Sequence, residues 1–268
     1  MSKTILITGS TDGIGKLTAI QLAKQGHTLY IHGRNATKVA ETIATIKAES
    51  NNEHIDGFVA DFSSMAAVRA MASEVNEKLT TLDILINNAG VFKSREPFTA
   101  DALDMRMAVN YIAPYLLTTS LLDLLKKGDR TRIINLSSAA QSSVIDSVLA
   151  GTKEESQQET YAQSKLALLM WSFDLAIQEP ALTVIPVNPG SLLNTNMVKE
   201  AYGHHWSPAD KGATILQDLA TNPSYASHSG DYFDNDKGGF GRAHTDAYSE
   251  EKRTHLITTT QQVLKNIS

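Results

Sequence analysis

Short apolar runs alternate with longer segments of helical periodicity along nearly the whole chain. The runs Thr4–Thr8, Thr28–His32, Asp56–Ala60, Leu82–Asn87, Arg132–Leu136 and Leu182–Val187 predict six strands. Several are apolar at consecutive positions, the pattern of strands covered on both faces in a parallel sheet. Between them, helical periodicity predicts helices over 14–25, 36–49, 64–78, 99–127 and 158–178. Repeated βα units of this length imply a parallel sheet with right-handed crossovers. The expected fold class is therefore α/β, a doubly wound parallel sheet of Rossmann type in one domain spanning 1–268.

A further helix start is predicted at Ser207-Pro208-Ala209-Asp210, with Ser207 as cap, Pro208 in the first helical position and Asp210 near the positive end of the dipole. The glycine-rich stretch Gly238-Gly239-Phe240-Gly241 is expected to be a surface loop. The last segment, 228–268, reads as a C-terminal extension.

Composition narrows the function. The chain has 268 residues, 42% hydrophobic and 20% charged, enough for an ordinary core. Its net charge is −5 and its basic residues are scattered, which leaves no footprint for a nucleic-acid partner. The absence of cysteine excludes disulfides, thiol catalysis and cysteine-ligated zinc. No His-Glu-x2-His spacing appears, so no metal is expected. Polar residues and a glycine arrive early in the chain, and no apolar stretch reaches spanning length. The expectation is a cytoplasmic protein without a membrane span.

The first strand runs into Gly9-Ser10-Thr11-Asp12-Gly13-Ile14-Gly15, and helical periodicity follows at once. Glycines at such a turn let the backbone approach a pyrophosphate, while the helix N-terminus offers free N–H groups and positive potential. The second strand ends in Gly33-Arg34-Asn35 with no carboxylate. A guanidinium there suits a ribose 2′-phosphate by charge and by its planar donor fork, which favours NADP(H) over NAD(H). Further on, Tyr161 and Lys165 stand four residues apart, on one face of a helix whose apolar positions form a separate stripe.

Taken in order, Thr8-Gly9-x3-Gly13-x-Gly15, Asn87-Asn88-Ala89-Gly90, Ser137-Ser138 and Tyr161-x3-Lys165 resemble the signatures of the short-chain dehydrogenase/reductase family. The 23 residues from Ser138 to Tyr161, with Gly-Arg-Asn after the second strand, resemble its retinol-dehydrogenase-like branch. The resemblance implies an oxidoreductase acting on a carbonyl/alcohol pair. Tyr161 would be the general acid/base, Lys165 would lower its pKa and bind the nicotinamide ribose, and Ser138 would hold the substrate oxygen. Asn110 would complete a proton relay. A tyrosine with its ordinary pKa near 10 releases its proton reluctantly, so a neighbouring ammonium serves this chemistry.

For the cofactor, the resemblance adds Asp61, followed by Phe62, toward the adenine, Asn88, Ala89 and Gly90 at the ribose, and Pro189-Gly190 toward the carboxamide. Thr195 lies one residue beyond the family spacing from Pro189, which leaves the Leu193 or Asn194 backbone as alternatives. Residues 190–206 would form a substrate lid, in which Leu192, Leu193, Met197, Tyr202 and Trp206 suggest an apolar pocket wall or else simply pack the lid. The polar insertion Gln141–Gln158 would rim the site. A homodimer or homotetramer would form through helices near 102–127 and 158–178. Two other readings stay open: an NADPH-dependent C=C reductase and a non-catalytic NADP(H)-binding redox sensor.

Overall fold

The computed structural model describes residues 2–267, with the side chains of Ala201 and Tyr202 outside that description. Strand β1 (Thr4–Ile7) leads into helix α1 (Gly13–Lys24), β2 (Thr28–Gly33), α2 (Ala36–Ser50), β3 (Ile55–Val59), α3 (Met65–Lys78) and β4 (Ile84–Asn87). After β4 come α4 (Met105–Met107), a π-helical turn (Ala108–Ile112), α5 (Ala113–Ser120), α6 (Leu122–Leu125) and β5 (Arg132–Leu136). The remainder is α7 (Asp146–Leu149), α8 (Gln157–Gln178), β6 (Thr183–Asn188), α9 (Asn196–Tyr202), α10 (Ala209–Thr221), β7 (Phe233–Asp234), β8 (Gly239–Phe240) and α11 (Glu250–Asn266).

The strands form one sheet in the order β3-β2-β1-β4-β5-β6-β7-β8, parallel throughout except for the β7–β8 hairpin. This is the doubly wound architecture that the alternation predicts. The strand order reverses between β1 and β4, and their carboxyl ends open the crevice where ligands of such sheets bind. Both faces are covered: Leu6, Leu85 and Ile133 pack into one apolar cluster, Ile5, Ile7, Ile84 and Ile134 into the other.

Three expectations are corrected. The helix predicted from residue 99 begins at Met105, because Thr99 to Asp104 form a tight turn with Ala102 at φ 57° and a Thr99 N–H to Leu103 O bond. It is then broken by the π turn and again at Leu121. Helix α10 is capped by Pro208, not Ser207, whose backbone instead pairs with the lid through the Asn194 N–H and the Leu192 carbonyl. The Gly238–Gly241 stretch is not a free loop, since Gly239 and Phe240 form an edge strand on Phe233 and Asp234.

The face expected to meet another subunit carries a helix of the same chain. Every residue of α8 from Gln163 to Phe173 is buried within the single chain. Helix α11 covers the side away from the sheet: Tyr111 and Thr260 share a buried hydroxyl–hydroxyl bond of 2.8 Å, and Leu256, Val263 and Leu264 join the cluster of Tyr115 and Trp171. Among the described residues no helix is long and apolar enough to cross a membrane.

Candidate active site

The glycine-rich turn is shaped first by its protein neighbours. A Cβ on Gly9, which has φ 62°, would lie 2.6 Å from the Ala89 Cα, and one on Gly15 would lie 2.4 Å from the Asn88 amide nitrogen. Glycine is therefore required where the β1 and β4 ends interlock. Asn88 seals the contact: its Nδ2 donates to Thr8 O and Gly9 O, while Thr8 Oγ1 accepts the N–H groups of Asn88 and Ala89. Ser10 is fully buried, with its hydroxyl donating to Ile7 O and accepting from His32 N–H. Its side chain braces the turn rather than facing a ligand. Asp12 caps α1, and Ile14 packs toward Gly212 of α10.

His32 is the site residue that sequence reading missed. The Gly9 N–H donates to its Nδ1 at 3.1 Å, so Nε2 carries the proton that reaches Ala60 O at 3.0 Å. Its ring stacks on Phe62 with centroids 4.2 Å apart. Burial holds its pKa down to about 4, so the imidazole is neutral at ordinary pH. The Phe62 side chain is consequently a core element. Beyond these anchors, Arg34 and Asp61 are exposed at the β2 and β3 ends, and Asp61 Oδ1 accepts from the N–H and hydroxyl of Ser63. Asn35 spends its Oδ1 on capping α2. Thr11 packs on Gly33, beside Arg34.

Behind the β4 end, a polar chain runs through the core. Asn87 Nδ2 donates to Thr118 Oγ1 and Asn135 Oδ1, and Asn135 donates to Ser172 Oγ. Asn87 is thus structural, binding sheet to helix.

The catalytic candidates gather at the β5 end and the start of α8. Lys165 Nζ donates to Leu136 O at 2.7 Å and lies 5.6 Å from the Tyr161 ring centroid, with Gly90 close by. Burial lowers its pKa to about 8. Ser137 is buried and donates to the Lys165 carbonyl, whereas Ser138 is partly exposed and its Oγ accepts from Ala140 N–H. Of the two serines, Ser138 is therefore the one that faces outward. Asn110 sits in the π turn, a distortion frequent at functional positions. Its side chain grips Val91 through N–H and carbonyl and donates to Ser164 Oγ.

Two further supports lack an obvious sequence signal. Arg106 and Asp104 form a buried ion pair, and Arg106 Nε donates to Thr160 Oγ1 at 2.6 Å, tying the segment before the π turn to the residue preceding Tyr161. Asp236 accepts from the Ser191 N–H, the Ser191 hydroxyl and Asn188 Nδ2. These bonds outweigh its burial and lower its pKa. They fix the chain just after Pro189-Gly190, where Gly190 has φ 123°.

The lid lies over the crevice. Asn196 Nδ2 donates to Asp12 Oδ2, Thr195 approaches Gly13, and the Met197 methyl reaches toward Gly90. Thr195 Oγ1 caps α9, and the Asn194 N–H is taken by Ser207 O. Among the described residues the expected apolar wall forms only in part, through the Met197 methyl. Leu193 is buried against Gly212, Leu192 occupies a turn at φ 49°, and Trp206 stands 75% exposed; the Tyr202 side chain lies outside the described residues. Instead, a cavity of about 420 Å³ opens beside Tyr161 between Phe92 and the inserted segment, including Gln141, Ser142 and Ser156. The C-terminal extension holds that segment in place: Tyr232 OH donates to Ser138 O, Ser143 to Asp246, and His255 bonds Asp146.

A parallel sheet with a glycine-rich βα turn at its switch point, and a tyrosine and buried lysine beside it, defines a dinucleotide-type oxidoreductase architecture. Residues 3–205 match the short chain dehydrogenase family, and the chain belongs to it. It is 35% identical to human retinol dehydrogenase 13 over 193 residues, covering 70% of this chain and 58% of that protein. It is 34% identical to human polyprenol dehydrogenase over 212 residues, covering 75% and 63%. The chain thus spans about three-fifths of the length of these relatives. A crystal structure of a short-chain dehydrogenase from Escherichia coli CFT073 complexed with NADPH is 26% identical, with a TM-score of 0.71 over 87% of this chain and 96% of that one.

Proposed function

We propose that the protein is an NADP(H)-dependent oxidoreductase that interconverts a carbonyl and an alcohol, with Tyr161 as general acid/base. The observation that carries this reading is the Tyr161–Lys165 pair: a partly exposed phenol beside a buried lysine, at the mouth of a cavity and against Gly90. The donor set also fits the dinucleotide. Exposed Arg34 matches a 2′-phosphate, the α1 N-terminus matches a pyrophosphate, and NADPH occupies the related Escherichia coli enzyme.

When bound, the reduced nicotinamide supplies hydride to the carbonyl carbon. Tyr161 gives its proton to the carbonyl oxygen, which Ser138 orients by hydrogen bonding. Lys165, held by Leu136 O, favours the phenolate left behind. Asn110 keeps the 91–92 segment in register, and Phe92 in turn packs on the Tyr161 ring at 4.7 Å between centroids. In the oxidative direction Tyr161 accepts the alcohol proton. The lid excludes water from the reacting atoms. With α11 on its α5–α8 face, the chain works as a monomer as far as that surface is concerned.

The test is oxidation of NADPH and of NADH by the purified protein against a panel of aldehydes and ketones. Turnover that prefers NADPH, and loses the preference in Arg34→Asp, supports the reading. Preference for NADH would remove Arg34 from the phosphate role. NADPH binding without turnover of any carbonyl would instead favour C=C reduction or a sensor.

A further inference from the structure

We propose, resting on the reading above, that the substrate is a small carbonyl compound bearing hydroxyl groups, selected by Glu159 and Gln158, rather than a long apolar aldehyde or ketone. The cavity beside Tyr161 has a mixed lining: Phe92, which packs on the tyrosine ring, Ala140 and Ala162 are apolar. Gln141, Ser142, Ser156, Gln158 and Glu159 are polar. Several of these polar groups are already spent. Gln141 donates to Ser138 O and accepts from the His244 N–H. Ser142 donates to Glu159 Oε1 at 2.7 Å, and Gln163 donates to the same oxygen.

Two groups retain capacity. Glu159 Oε2 takes no hydrogen bond among the described residues, and neither does the Gln158 amide. Both residues lie in the first turn of α8, two and three positions before Tyr161, at the cavity wall. An apolar chain laid against them would strip water from a carboxylate without replacing its hydrogen bonds, which is costly. A hydroxyl donates to the carboxylate and exchanges with the amide, replacing that water. A site built to hydrogen-bond a substrate hydroxyl discriminates strongly against an analogue lacking it. Among the described residues the lid adds little apolar surface on this side: Leu193 turns into the core, Trp206 into solvent, and the Met197 methyl toward Gly90.

Glyceraldehyde, propanal and octanal separate the possibilities with NADPH as co-substrate. Wild-type kcat/KM should be at least tenfold higher for glyceraldehyde than for propanal, with octanal no better than propanal. Glu159→Leu and the exposed Gln158→Leu should each lower the glyceraldehyde/propanal ratio of kcat/KM by about threefold or more. Since Gln158 holds no structural bond, its variant tests the idea even if Glu159→Leu fails to fold. Propanal or octanal equalling glyceraldehyde in the wild type would overturn the proposal, as would a ratio that survives the substitutions. In that case Tyr161-dependent turnover of the plain aldehydes would leave the oxidoreductase reading standing. Failure of all three aldehydes alongside turnover of other carbonyls would overturn this proposal alone, and failure across the whole aldehyde and ketone panel would overturn both.

Discussion

The backbone N–H of Gly9 donates to Nδ1 of His32, so a buried imidazole at the end of β2 holds the first glycine of the cofactor turn. Through Nε2 the same ring reaches Ala60, next to Asp61, and its chain continues within two residues to Arg34. The carboxyl ends of β1, β2 and β3 are thereby locked in one relative position. Together with the Ser10 hydroxyl, which bonds Ile7 O and the His32 N–H, this side chain joins three elements that would contact the adenosine half of a dinucleotide.

Separating the two hydrogen bonds of His32 tests this. Asparagine retains an acceptor near Nδ1 for the Gly9 N–H, while glutamine retains a donor near Nε2 for Ala60 O; both lose the stack on Phe62. The Gln variant should bind NADPH about five- to tenfold more weakly than the Asn variant, the scale of one lost buried hydrogen bond. Titration calorimetry reads this directly. Equal affinities would reduce His32 to a packing residue.

His32 also predicts acid sensitivity. Its folded pKa of about 4 lies below the free value of 6.5, so between these pH values the unfolded chain takes up a proton that the folded chain refuses. Stability is therefore retained above pH 6.5 and lost as pH falls toward 4, by about 3 kcal/mol across that window. Urea unfolding at pH 7 and pH 4.5 should show the loss in the wild type, and a smaller one in His32→Asn. An identical loss in both would assign the effect elsewhere.

Lys165 sets the alkaline side of activity. Burial brings its pKa to about 8, so the ammonium is present below that pH and disappears above it. In the free enzyme kcat/KM for carbonyl reduction should fall above about pH 8. Lys165→Arg, charged at any working pH, should be slower but should lack that limb. A pH profile unchanged in shape would mean that the lysine charge is not required.

The covered α8 face predicts a monomer of 29.1 kDa. Light scattering after gel filtration should give that mass, and Leu256→Asp with Val263→Asp, which unseats α11, should increase self-association. A stable wild-type dimer with α8 at its interface, seen by cross-linking, would contradict the packing of α11.

The sheet and most of the site were legible because their causes are local. Strands buried on both faces appear as apolar runs, and a phosphate-binding turn needs glycines. What stayed hidden depends on direction or distance. Strands β7 and β8 have two residues each, too few for any periodicity. The π turn at Asn110 does not disturb the apolar pattern of the helix around it. Residue type suggested an apolar lid wall from Leu193 and Trp206, but one anchors the lid on Gly212 and the other faces water. The clue to His32 was present: a polar ring one residue before Gly33, in a run with Leu29 and Ile31, had no partner nearby in sequence.

The most direct measurement compares wild type and Tyr161→Phe for NADPH binding and for carbonyl-dependent NADPH oxidation. A general-acid role for Tyr161 predicts cofactor affinity within about threefold of wild type and a fall in kcat of about a hundredfold or more. Carbonyl turnover by Tyr161→Phe at the wild-type rate would contradict it.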